Sequence, residues 1–314
     1  QVRFALTGTP VENRLGELWS IFSFLMPGYL PPYKTFCARF EKPIVQEEDA
    51  NAVRRLNQLT GPFILRRMKA DVLRELPPKT ENVHRIELDT EQRKLYLAAV
   101  VDAREKLRAA KPEDKMAVFA VLMRLRQICC DPRLVADNWS GGSAKLDACM
   151  ELVTAAVEGG HRILLFSQFT SMLELLAQRL DEAGVSHFTL QGSTPKPVRA
   201  ELVRRFNAGE ASVFLISLRA GGTGLNLTAA DIVIHYDPWW NVAAQNQATD
   251  RAYRIGQKNP VQVYKLIAQD TIEEKIVELQ QAKQSLADTV TGSADGAILS
   301  MNPEQLLQLL GEEA

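Results

Sequence analysis

Five short apolar runs, at 162–166, 187–190, 213–218, 232–236 and 261–267, alternate with stretches of helical character, and that alternation leaves few folds open. One of the intervening helices runs to Gly184, and another starts at Pro197 and ends at Asn207. Alternation at this spacing predicts a mostly parallel sheet covered by helices. In such sheets ligands sit at the carboxyl ends of the strands, so chemistry is expected in the loops after Phe166, Leu218 and Tyr236.

The rest of the chain reads differently. Residues 2–6 read as a short strand stopped by Thr7-Gly8-Thr9-Pro10, after which Leu15, Leu18, Trp19, Phe22 and Leu25 recur at helical spacing. From 27 to 80, prolines, aromatics and a basic cluster, Arg66-Arg67-Met68-Lys69, read as an irregular helical insertion or bridge. Between 90 and 130 the apolar residues Leu95, Leu97 and Val101, then Val118, Val121, Leu122, Leu125 and Ile128, predict two helices packed as a hairpin and broken near Lys111-Pro112. Gly141-Gly142-Ser143 marks a loop, and a helix over 271–286, a polar tail and a short helix over 303–310 close the chain. The fold class is therefore α/β, a parallel sheet flanked by helices with a helical insertion or protrusion region on its N-terminal side.

With 314 residues, 46% of them hydrophobic, the chain can build one large or two moderate cores. Its 37 Lys and Arg against 38 Asp and Glu leave a net charge of −1, so no global basic field draws in nucleic acid, and any such contact must be local. Cys37, Cys129, Cys130 and Cys149 lack metal-ligand spacing and read as free, buried thiols suited to a reducing intracellular compartment, cytoplasm or nucleoid in a prokaryote and nucleus in a eukaryote. No apolar run approaches the roughly twenty residues of a membrane span, so no membrane partner is expected. The sequence opens at Gln1 inside an apolar run, which reads as a fragment.

The most informative segment runs from Gln245 to Gln257. On a helix capped by Asn241 and stopped by Gly256, Gln247, Arg251 and Arg254 fall at i, i+4 and i+7 on one face. Two guanidiniums there form a fork for a polyphosphate, because arginine stays charged, binds phosphate oxygens bidentately and stabilises charge developing on a transferred phosphoryl group. The bland alternative has Arg254 complementing the helix dipole and Arg251 paired with a surface acid. A second segment, 214–227, is an apolar strand running into Gly221, Gly222 and Gly224, with Ser217, Arg219 and Thr223 as donors. Glycines let a backbone approach a phosphate and expose N–H groups to it, although a plain tight turn has the same composition.

Ser167-Gln168 and Gln191-Gly192-Ser193-Thr194 also follow strands, and small hydroxyl and amide donors there either hold a nucleic-acid backbone without reading bases or cap helices. Trp239-Trp240 stack on bases or pack as core or brace, and His84, His161, His187 and His235 are too scattered for a metal or catalytic cluster. No Gly-x-x-x-x-Gly-Lys-Ser/Thr loop occurs, and Asp181-Glu182 ends a helical pattern instead of following a strand, so it is not a magnesium-holding box.

Taken together, 6–13, 164–169, 217–227 and 250–257, supported by 125–132 and 236–241, closely resemble the Swi/Snf-type ATPases of helicase superfamily two, over nearly the whole chain. The resemblance implies that residues 1–13 end a first RecA-like lobe, with Thr7, Gly8 and Thr9 coupling nucleotide state to DNA. It further implies a helical bridge and protrusion at 14–89, a helical protrusion at 90–140, a second RecA-like lobe at 141–270 and a C-terminal brace and tail at 271–314. Ser167, Gln168, Gly192, Ser193, Thr194, Ser217, Arg219 and Thr223 would bind DNA; Gly222, Gly224, Asn226, Arg251 and Arg254 would face ATP; and Gln247, Arg251 and Arg254 would act in catalysis, the two arginines as fingers. Magnesium would be held mainly by an N-terminal lobe that this sequence lacks, so no ATP turnover is expected from the chain alone. Double-stranded DNA, contacted through its backbone, and that N-terminal lobe are the implied partners, with a DNA-bound protein as a further one. Two positions depart from the usual pattern: Arg219 stands where Lys is frequent, and Cys130-Asp131 where Asn-His is common. A DNA-binding module with vestigial arginines and a strand-separating helicase are the competing readings.

Overall fold

The computed structural model describes residues 2–7, 15–47, 49–65, 76–111, 114–218, 224–287 and 301–311. Two compact units are present, Gln1–Arg74 with Gln280–Ala297, and Glu75–Leu279 with Ile298–Ala314.

The first unit is helical where described. Helix α1 (Leu15–Leu25) buries Leu15, Leu18 and Phe22 at the expected spacing. After a Pro-rich turn, α2 (Tyr33–Phe36) passes through a π-helical stretch (Cys37–Glu41) into α3 (Lys42–Gln46). Helix α4 (Ala50–Thr60) starts where the Asp49 carboxylate accepts from the Asn51 N–H at 2.8 Å, satisfying one of the free donors of a first turn. Phe36, Phe40 and Leu56 join the three α1 residues in one core. Residues 2–6, expected as a strand, have no regular structure, and Val2, Phe4 and Leu6 are exposed. A strand exists only through ladder partners, and no described strand pairs with this segment.

The second unit is built on a sheet of β1 (Lys79–Ile86), β2 (Ile163–Ser167), β3 (His187–Leu190), β4 (Val213–Ser217), β5 (Ile232–His235) and β6 (Val261–Ala268), in the order β1-β6-β5-β2-β4-β3. Every pairing is parallel. The central strands β2 and β4 are buried at every position, as expected of strands covered on both faces. Alternation along β2 serves both faces, with Ile163 and Leu165 in one core layer and Leu164 and Phe166 in the other.

Helices α5 (Thr90–Ala109) and α6 (Lys115–Cys130) form the expected hairpin. Helix α7 (Ala144–Glu158), not foreseen from the sequence, covers one sheet face together with α8 (Thr170–Glu182). Helix α9 (Lys196–Asn207) and α10 (Val242–Thr249) lie against the other. Helix α11 (Ile272–Ala287) and α12 (Pro303–Leu309) bring Ile272, Ile276 and Leu306 into the hairpin's core. No helix among the described residues is long and apolar enough to cross a membrane.

Two expectations need correction. Strand β1 lies within the stretch read as a helical bridge. It is an edge strand of which only Ile86 is buried, so it carries no period-2 apolar signal. On α5 the buried face is Tyr96, Ala99, Val100, Ala103 and Leu107, whereas Leu97 and Val101 are 53% and 56% exposed. Small alanines line that contact and let α6 approach closely, so the large apolar residues alone mislead.

Candidate functional site

The sheet's strand order fixes where a site can form. From β2 the chain moves toward β3 on one side, whereas from β5 it moves toward β6 on the other, so the neighbours β2 and β5 flank the topological switch point. Crevices for ligands open at the carboxyl ends of such a pair. There Ser167 Oγ donates to Asp237 Oδ1 at 2.6 Å, and the Gln168 N–H donates to the same oxygen at 3.2 Å. Ser217 ends β4 in register with Ser167, and the Leu218 N–H donates to the Ser167 carbonyl at 3.0 Å.

Ser167 and Ser217, expected as DNA contacts, are both buried at their strand ends. A strand-end hydroxyl in a buried network is more stable bonded inward than left to solvent. Further donors lie one residue on and on the next loop. Gln168 is half-buried; Gly192 and Ser193 are exposed. The Gln191-to-Thr194 turn is closed by the Thr194 N–H on Gln191 O at 3.1 Å and by the Gln191 N–H on Thr194 Oγ1 at 3.0 Å.

The arginine segment departs from the expected geometry. Asn241 caps α10 through the Ala244 N–H, but the helix ends at Thr249, so Gln247 is exposed on α10 while Arg251 and Arg254 stand beyond it in a turn. The three therefore do not share one helical face. Competing hydrogen bonds explain the early end. The Arg251 carbonyl, which a continuing helix would offer to Ile255, instead accepts the Leu227 N–H at 3.0 Å, and Gln257 Nε2 donates to Ala230 O at 2.7 Å. Gly256 closes the turn at φ +101°, a conformation a side chain would strain. Beneath it, His235 Nε2 meets Thr249 Oγ1 at 2.9 Å, with the imidazole stacked on Phe166.

The turn still brings both arginines to the glycine-rich segment. Arg254 Nη1 donates to the Leu225 carbonyl at 3.1 Å, next to the exposed Gly224 and Asn226. Arg251 is only 8% exposed, and its Nε has no hydrogen-bond partner among the described residues. Burial pulls its guanidinium below the usual arginine range, and the positive charge of Arg254 adds to the effect against partial relief from Asp250. A buried cation beside a second cation, with an orphaned donor, is an arrangement that an anion completes. The donor set fits a phosphate better than a metal, since guanidiniums offer no lone pair.

Thr7 is exposed, and Gly8, Thr9, Arg219, Gly222 and Thr223 lie outside the described residues. Trp240 is buried in the hairpin core, which favours packing over base stacking. Sequence reasoning passed over Arg126, Asp237, His235 and Gln257 as working residues. Their partners lie far off along the chain, as with Arg126 and Asp237, so no local spacing marks them.

The model of the SNF2-related domain matches residues 1–134, and that of the helicase conserved C-terminal domain matches residues 144–256. A Mycoplasma pneumoniae protein named as an uncharacterized ATP-dependent helicase is 40% identical over 309 residues, 97% of this chain and 29% of its own length. The SWI/SNF-related matrix-associated actin-dependent regulator of chromatin subfamily A member 1 of Mus musculus is 37% identical over 98% of this chain and 31% of its own length. The chain thus spans about a third of the curated relatives it matches. Among solved structures, the Sulfolobus solfataricus SWI2/SNF2 ATPase core in complex with dsDNA superposes with a TM-score of 0.64 at 34% identity, covering 99% of this chain and 67% of that one. Its parallel sheet is accordingly RecA-like, and the chain belongs to the SWI2/SNF2 family of ATPases.

Proposed function

We propose that the chain is the carboxy-terminal half of an ATP-dependent translocase that moves along double-stranded DNA. One observation carries this reading: Arg251 and Arg254 are held together beside the glycine-rich segment, with an Arg251 donor that has no partner among the described residues. Facing a second lobe, these guanidiniums would reach the β- and γ-phosphates of ATP and stabilise charge developing on the transferred phosphoryl group. Magnesium, held mainly by that other lobe, would supply Lewis-acid stabilisation of the phosphate charge. This sequence has no phosphate-cradling Gly-Lys loop, which supports a requirement for the second lobe. The exposed Gly192–Ser193 turn and Gln168 would hold a phosphate backbone through neutral donors, without reading bases, and closure of the lobes would advance the grip. A DNA-bound protein is the object such a motor would displace or move.

The test is steady-state ATPase in the full-length protein with saturating duplex DNA. Arg251→Ala and Arg254→Ala are each expected to lower kcat by about 10²- to 10³-fold, the cost of removing a group aimed at transition-state charge, with folding retained. The 314-residue chain alone, with duplex and magnesium, is expected to show no turnover. Activity of either alanine variant within threefold of the parent, or vigorous hydrolysis by the isolated chain, overturns the reading.

A further inference from the structure

Over the switch point lies a buried ion pair that the proposed chemistry does not use. Arg126, on α6, is fully buried, and its Nη2 donates to Asp237 Oδ2 at 3.3 Å and to the Pro238 carbonyl. The guanidinium carbon sits 4.1 Å from the Trp240 ring centroid and 5.7 Å from that of Phe169. Asp237 offers its other oxygen to Ser167 Oγ and the Gln168 N–H. Phe169 is the N-cap residue of α8, and Trp240 immediately precedes the Asn241 cap of α10. A single side chain from the hairpin therefore touches the entries to two helices and, through one carboxylate, the loop between them.

Stability alone is a poor reason for such a group. Arg126 Nε and Nη1 lack hydrogen-bond partners among the described residues, and a well-packed apolar side chain of similar volume would avoid that desolvation. What the guanidinium does provide is direction: Nη2 alone spans the Asp237 carboxylate and the Pro238 carbonyl while the flat group lies against Trp240, and the carboxylate's second oxygen in turn fixes the backbone at Gln168. The Gln168 Nε2 is buried with no partner among the described residues either, so the loop is held by its backbone, and the side-chain donor reaches a phosphate by turning outward.

We propose that Arg126 is a positioning residue: acting through Asp237, it sets the Ser167–Phe169 loop so that Gln168 meets the DNA backbone, and thereby ties the α5–α6 hairpin to the grip on DNA. This rests on the reading of Gln168 as a backbone contact.

The experiment measures duplex-DNA affinity and DNA-stimulated ATPase in the full-length protein, with thermal melting as the folding control. Gln168→Ala tests the underlying contact: unchanged duplex affinity removes that reading, and this proposal with it. If Gln168→Ala weakens binding, Arg126→Met is expected to raise the DNA concentration for half-maximal ATPase by about tenfold while kcat at saturating DNA falls less than threefold. Arg126→Lys, which keeps the charge but not the planar group against Trp240, should recover part of the loss. Adding Gln168→Ala to Arg126→Met should cost little more, since both act through one contact. A folded Arg126→Met protein that binds DNA like the parent, or losses that simply multiply in the double variant, would sink the proposal. Should Arg126→Met fail to melt cooperatively, amide exchange at Gln168 and Phe169 in Arg126→Lys decides: exchange accelerated severalfold supports the role, and parental exchange overturns it.

Discussion

Burial pushes the His235 imidazole down to about 3; Lys265 and Lys79 act in the same direction and Glu81 against them. In an unfolded chain a histidine titrates near 6.5, so the unfolded state binds the extra proton first as pH falls. Above about 6.5 both states are neutral and His235 adds no pH dependence; from there down to about 3 it progressively favours unfolding. Between pH 7 and pH 5 this amounts to about 2 kcal/mol from this one group. His235→Gln, which removes the titration, should therefore lose less stability than the parent over that interval, read as the difference of two urea-unfolding differences. Equal acid sensitivity in the two proteins would show that the buried ring is not the proton site. Read in sequence, His235 was one of four scattered histidines with no assigned chemistry; its partner Thr249 is fourteen positions away, at the end of α10 just before a turn whose shape depends on bonds to Leu227 and Ala230.

The hairpin shows which parts of an element periodicity can and cannot reveal. On α6 every large apolar residue picked out by spacing, from Val118 to Ile128, is buried, because that helix meets its neighbours through bulky side chains. On α5 the contact is made partly by Ala99 and Ala103, and Leu97 and Val101 are left in solvent. Leu97→Ala should therefore change stability by less than about 0.5 kcal/mol, whereas Leu107→Ala, which empties a site only 1% exposed, should cost about 2–4 kcal/mol in denaturant unfolding. Comparable losses at the two positions would mean that the helix is rotated from the orientation described. The same physics explains the sheet. Strands β2, β4 and β5 are buried at every position and apolar up to a polar last residue, because they are covered on both faces, and they were legible; β1 is a polar edge strand and was not. The arginine turn was legible as chemistry but not as geometry, since residues 241–256 carry an intact helical pattern that tertiary hydrogen bonds override after Thr249.

For the molecule as a whole, a net charge of −1 means that attraction to DNA must come from a local surface and not from the overall field. The carboxyl edge of the sheet offers neutral donors at Gln168 and the Gly192–Ser193 turn, and such groups position a backbone without distinguishing bases. Whatever cations accompany them displace condensed counterions from the phosphates, so log K should fall linearly with log salt by about 0.9 for each phosphate neutralised. Measured by fluorescence anisotropy on the full-length protein, the proposed backbone contacts should give two duplexes of equal length and unrelated sequence affinities within about threefold of each other and the same salt slope. Single strands of the same sequence should bind with a shallower slope, about 0.7 per phosphate. A more than tenfold preference between the duplexes, or binding indifferent to salt, would place the interaction on base edges or on apolar surface instead. In that event the loops at the switch point would have to be read as structural turns, even with the two arginines still set beside the glycine-rich segment.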